Sequence, residues 1–131
     1  MIQQTPTIMV IEDEELLLKA IVSKLEHNNI HVLPFESGAK ALEFLLQLTS
    51  QLPDAIWLDY FLKDMNGLEF MQQLNTHTHL QRIPVIVVSN SASPQKVHSM
   101  LALGAKKYIL KAEHRLDDII DIINQFITIE S

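Results

Sequence analysis

The sequence predicts an α/β domain built on a doubly wound, parallel, five-stranded sheet. Three observations predict it. Short aliphatic runs and helical periodicities alternate five times along the 131 residues. The runs are continuous rather than alternating, as in strands buried on both faces. Four of them end in a residue with chemistry: Ile8–Ile11 in Glu12–Asp13, Ala55–Leu58 in Asp59, Val85–Val88 in Ser89, and Tyr108–Leu110 in Lys111. Strand–helix alternation with right-handed crossovers lays such strands parallel, with helices on both sheet faces.

The elements follow in order. After the first run, Glu14 to Asn28 reads as a helix, because Leu17, Ile21 and Leu25 recur at four-residue spacing beside Leu18 and Val22. Asn28–Asn29 is a turn signal. His31–Phe35 is a short strand whose Pro34 belongs near a sheet edge. Ser37 caps a helix running to about Thr49, with Leu42, Leu45 and Leu46 inward. The strand ending in Asp59 leads into a polar loop, Lys63–Gly67. Leu68, Met71 and Leu74 then mark a third helix. Pro84 opens the fourth strand. Ser93 caps a helix with Pro94 at its first position, with Val97, Met100 and Leu101 on the inner face. Gly104 stands where a left-handed helix end belongs. Leu116, Ile119, Ile120, Ile123 and Ile127 give the final helix.

Bulk composition narrows the function. The length suits one domain, residues 1–131, with a proper core. Hydrophobic residues make up 47% of the chain, which argues against disorder. No apolar run reaches the roughly 18 residues of a membrane span. Met1–Thr7 is polar and lacks Lys and Arg, unlike a signal peptide. The expected setting is therefore cytoplasmic, without membrane insertion. There is no cysteine, so disulfides and thiolate metal sites are excluded. A net charge of −6 disfavours direct nucleic-acid binding.

Open parallel sheets bind ligands outside the carboxyl ends of their strands. One edge here would collect Glu12, Asp13, Asp59, Ser89 and Lys111. Three carboxylates suit a hard divalent cation, and a hydroxyl with an ammonium suits a phosphoryl group. Each residue also has a plainer reading. Acids after a strand commonly sit at a helix N-terminus. Lys111 can be a solvated strand end, and Ser89 an ordinary loop serine. Tyr108 reads equally as packing or as a switch. His27 and His31, or His77 and His79, lack a third ligand for zinc.

Taken together and in order, these positions resemble the receiver domain of two-component response regulators over essentially the whole chain. Met65 and Gly67 fit the family's loop after the aspartate, and Gly104–Ala105 and Tyr108 fit its last strand. The resemblance implies a flavodoxin-like (βα)5 fold of strand order 2-1-3-4-5. It implies that Asp59 is a phosphoacceptor and that Lys111 and Ser89 hold the phosphoryl oxygens. It implies Mg2+ (or Mn2+) on Asp13, Asp59 and the backbone carbonyl of Phe61, with Glu12 acting through water. Ser89 and Tyr108 become switch residues. The implied donor is a histidine kinase or histidine phosphotransfer protein. The implied output is a downstream protein target, or a homodimer, engaged through residues 93–127. Ile122 and Phe126 widen the apolar face of the last helix there. Such a chain is a signalling switch, and it is not a metabolic enzyme.

The chain departs from the family pattern in places. Glu12 stands where Asp is commoner, Lys63 where Pro is frequent, and Asn90 where a small residue is usual. Phe61 and Ser91 occupy positions that tune phosphoryl lifetime. Ala112 replaces the usual proline after Lys111. A non-proline cis bond costs about 2.5–4 kcal/mol, so the bond is expected trans.

Three other functions compete. A flavin carrier needs a Ser/Thr/Gly-rich phosphate loop where this chain has Glu12–Glu15. An aspartate-nucleophile phosphatase or dehalogenase needs a second acid where Phe61 stands. A receiver-shaped adaptor that takes no phosphate would not need the five-residue set.

Overall fold

The computed structural model describes residues 5–49 and 51–128. The ends of the expected 1–131 domain, and Met1–Gln4 of the polar N-terminus, lie outside the described residues. Five strands form one parallel sheet: β1 (Thr7–Ile11), β2 (His31–Phe35), β3 (Ala55–Asp59), β4 (Val85–Ser89) and β5 (Lys107–Leu110). The helices alternate with them: α1 (Glu15–His27), α2 (Gly38–Gln47), α3 (Gly67–Leu74), α4 (Pro94–Ala102) and α5 (Leu116–Thr128). The strand order is β2-β1-β3-β4-β5, a flavodoxin-like sheet as expected. Pro34 therefore sits in an edge strand, where a missing amide costs little.

The central strands β3 and β4 are buried at every position, which is why their residues read as unbroken aliphatic runs. Two cores follow from the pleat. One face packs Met9, Ile56 and Leu58 against Leu42 of α2, Phe70 and Met71 of α3 and Met100 of α4. The other packs Ile8, Val10 and Trp57 against Ile21 and Leu25 of α1 and Ile120 and Ile123 of α5.

Several local expectations change. The helix expected to end at Thr49 ends at Gln47. Its buried stripe is Gly38, Ala41, Leu42 and Leu45, and Leu46 lies outside it, 48% exposed. In α4 only Met100 is buried; Val97 is half-buried and Leu101 is exposed. This helix lies shallowly on the sheet. In α5, Ile122 and Phe126 are half-buried and pack on the second core, so the width of its apolar face is mostly packing. Gly104 has a φ of 105°, the left-handed helix end foreseen for it. The Lys111–Ala112 bond is trans, since the described residues contain no cis peptide. Two short 3-10 turns, Thr78–Leu80 and Lys111–Glu113, were not foreseen. Such turns are too brief to show periodicity.

Candidate functional site

The site lies at the carboxyl edge of the sheet. Register brings the strand ends level: Ile11 lies beside Leu58, Asp59 beside Val88, and Ser89 beside Leu110. Glu12, Asp13 and Asp59 thereby meet, and one carboxylate oxygen from each lies within 4.8 Å of the others. Glu12, Asp59 and Ser89 are the buried polar residues of the described chain.

The cluster has one cation. The Lys111 ammonium is 3.1 Å from Glu12 Oε1 and 3.6 Å from Asp59 Oδ1. The Glu14 amide donates to Glu12 Oε2 at 3.0 Å. The Lys63 amide donates to Asp13 Oδ2 at 2.7 Å. Three acids against one ammonium leave an excess of negative charge. Burial is the main reason that the Asp59 carboxyl rises from 3.8 to about 7; Glu12 and then Asp13 push the same way, and Lys111 opposes them. Hard oxygen donors crowded in this way are what a small divalent cation satisfies.

The loop after β3 carries Phe61, whose ring is half-exposed at the mouth of the site. Phe61 bridges Asn66, and the Leu62 amide donates to the Met65 carbonyl at 3.2 Å, so the loop folds back on itself. Asn66 then caps α3 in a reciprocal capping box with Glu69. On the other side of the mouth, Ser89 Oγ accepts from the Ser91 amide at 3.3 Å. The Tyr108 hydroxyl donates to the Ser91 carbonyl at 2.7 Å. Tyr108 itself is half-buried against the first core, 6.2 Å from the Tyr60 ring.

All five residues expected at this edge are therefore together there. Two that matter to its surroundings were missed. Lys96 of α4 lies 4.5 Å from the Phe61 ring centroid and 3.5 Å from Ser91 Oγ. Asp64 accepts from Ser37 Oγ at 3.0 Å and from the Gly38 and Ala39 amides at 3.2 and 2.9 Å. Burial raises the Asp64 carboxyl, but the Ala39, Gly38 and Ser37 donors outweigh it and hold it below its ordinary value. These contacts span 25 to 27 residues, so no local pattern signals them. The one hint is that α2 has no acid in its first turn.

The sequence matches the response regulator receiver domain family over residues 8–124. The chain belongs to that family. It is 30% identical over 107 residues to the two-component response regulator ORR8 of Oryza sativa subsp. indica, covering 82% of this chain and 87% of that protein. It is also 30% identical over 106 residues to the phosphate regulon transcriptional regulatory protein PhoB of Rhizobium meliloti, covering 81% of this chain but 45% of that longer protein. In three dimensions it is similar to the phosphorylated cyanobacterial phytochrome response regulator RcpA, with a TM-score of 0.81 at 25% identity, covering 98% of this chain and 97% of that one. The Francisella response regulator 1452 receiver domain shares the fold at a TM-score of 0.83 and 24% identity, covering 97% and 100% of the two chains. Receiver domains are signalling proteins rather than metabolic enzymes. They respond to histidine kinases and act on downstream effectors. Among the described residues, no helix is long and apolar enough to cross a membrane.

Proposed function

We propose that this chain is a single cytoplasmic receiver domain, residues 1–131, switched by phosphorylation of Asp59. The observation that carries the reading is the buried carboxylate of Asp59, held among Glu12, Asp13 and the Lys111 ammonium at one sheet edge. Asp13, Asp59 and the Phe61 carbonyl would hold Mg2+ directly, and Glu12 through water. The cation supplies charge neutralisation between carboxylate and phosphoryl oxygens. Everything else falls to the chain's own side chains.

An Asp59 oxygen attacks phosphorus on a phosphohistidine of a kinase or phosphotransfer protein. The P–O bond to Asp59 forms, the P–N bond breaks, and the imidazole leaves as the neutral ring after taking a proton. Lys111 already points between Glu12 and Asp59, so it meets the incoming phosphoryl oxygen without leaving the site. Ser89 exchanges its contact with the Ser91 amide for a hydrogen bond to another phosphoryl oxygen. Later hydrolysis breaks the P–O bond and returns the carboxylate and inorganic phosphate. The half-exposed Phe61 ring limits the approach of that water.

The switch follows from connectivity. Ser89 is bonded to Ser91, and Ser91 to Tyr108. A move of Ser89 toward phosphate pulls on both, and with them on the α4–β5–α5 surface, residues 93–127. The shallow seating of α4 and the exposed Leu101 support this face as the one met by a downstream protein or a second copy. Mass analysis of the intact protein with a small acyl phosphate donor tests the reading. The expected result is one added phosphoryl group with Mg2+, and none in chelator or in Asp59→Asn. Labelling that survives either condition refutes the assignment.

A further inference from the structure

Lys63 fills a loop position where a proline would stiffen the chain, yet the loop from Phe61 to Asn66 is closely fixed. Two anchors hold it. The Lys63 amide is bonded to the Asp13 carboxylate. The next residue, Asp64, lays its carboxylate across the start of α2, taking hydrogen bonds from the Ser37 hydroxyl and the Gly38 and Ala39 amides. Helix N-termini favour negative charge, and α2 supplies none from its own first turn. The loop is also pressed against that helix. A Cβ on Gly38 would lie 2.8 Å from Met65 Sδ and 2.9 Å from Met65 Cγ. The missing Cβ at the first residue of α2 thus lets the Met65 side chain lie against the helix, with Leu62 Cδ1 3.3 Å from where that Cβ would stand.

We propose that Asp64 is a positioning residue for the cation site, pinning the β3–α3 loop to α2 so that the Phe61 carbonyl and the Lys63 amide keep their places beside Asp13. The inference rests on the metal reading above and deepens it. Asp64 touches neither cation nor phosphoryl group; it acts through three residues of tight turn. In its absence the turn retains its bridge between Phe61 and Asn66. It then loses its hydrogen-bonded tie to α2, is held there by Met65 packing alone, and moves more freely beside the site. The Phe61 carbonyl must then be ordered on each binding event, and affinity falls.

The test pairs cation affinity with amide exchange. Mg2+ is titrated against the fluorescence of the single tryptophan, Trp57, two residues before Asp59 on the same strand. Wild type is compared with Asp64→Ala, Asp64→Asn, Asp13→Asn and Asp54→Ala. Asp54 accepts from the Thr7 amide at the far end of the sheet and serves as a control for general destabilisation. Asp64→Ala should weaken Mg2+ binding roughly ten-fold, the lower end for groups that orient metal ligands. Asp64→Asn, which keeps one acceptor oxygen, should fall between it and wild type. Asp54→Ala should lower Tm and leave affinity unchanged. In the metal-free protein, hydrogen exchange of the Lys63 amide should quicken in Asp64→Ala along with that of Gly38 and Ala39.

Wild-type affinity in both Asp64 variants, with loss in Asp13→Asn, would overturn the positioning role and leave the cation site standing. An equal loss of affinity in Asp54→Ala would also overturn it. If wild type binds no Mg2+, the metal reading fails. Lys63 exchange then decides the loop question alone, and an unchanged rate refutes the anchor.

Discussion

Replacing Asp59 with Asn should stabilise the metal-free protein, and the gain should grow with pH. The Asp59 carboxyl is raised from 3.8 to about 7, first by burial and then by Glu12. Folding therefore favours its protonated form. Its favourable contribution is complete below the unfolded value near 3.8 and is lost as pH rises through about 7. The gap of about 3 pH units, at about 1.4 kcal/mol each, bounds the cost of the buried charge at about 4 kcal/mol at pH 8. That bound already includes the opposing pull of Lys111, 3.6 Å from Asp59, and solvent at the open mouth of the site screens the charges and lowers the cost further. About 2 kcal/mol remains, or roughly 6 °C in Tm for a chain of this size. Thermal denaturation in chelator at pH 4 and pH 8 reads it. At pH 4 the two proteins should agree within about 0.5 kcal/mol. Mg2+ at about one hundred times its Kd should restore about 2.7 kcal/mol to wild type and erase the difference. A less stable Asp59→Asn at pH 8, or a gain that grows toward acid, would refute the electrostatic account of the site.

Three further substitutions test separate parts of the structure. Lys111→Met leaves Glu12, 1% exposed, without its partner at 3.1 Å; urea denaturation should show a loss of about 3 kcal/mol, smaller when Mg2+ is present. Ser89→Ala should still accept phosphate from a small donor, but self-association or partner binding should no longer respond to a beryllofluoride mimic, as read by analytical ultracentrifugation or titration calorimetry. Gly104→Ala places a Cβ in open space at a φ of 105°, so its cost is backbone conformation alone, about 1–2 kcal/mol by chemical denaturation.

The fold was legible because β3 and β4 are buried on both faces and show no polar alternation. The site was legible because each of its residues ends a strand or comes within two residues of its end. Parallel register then brings them together without any long side-chain path. What escaped the sequence depended on distance or depth. Asp64 acts on α2 across more than twenty residues, and its own neighbours give no sign of that. Leu46, Leu101 and Ile122 share apolarity with true core residues; only the seating of each helix decides which are covered. Helix α4 shows this most clearly, since its periodicity foretold an inner face of three residues and the sheet buries Met100 alone.

Reductive trapping is the most direct test of the central claim. Wild-type protein is incubated with a small acyl phosphate and Mg2+, treated with borohydride, digested and mapped by mass spectrometry. An aspartyl phosphate is reduced to homoserine, so homoserine is expected at position 59, dependent on both donor and Mg2+. Phosphate on any of the histidines, homoserine at position 13, or trapping at position 59 that persists in chelator would contradict it.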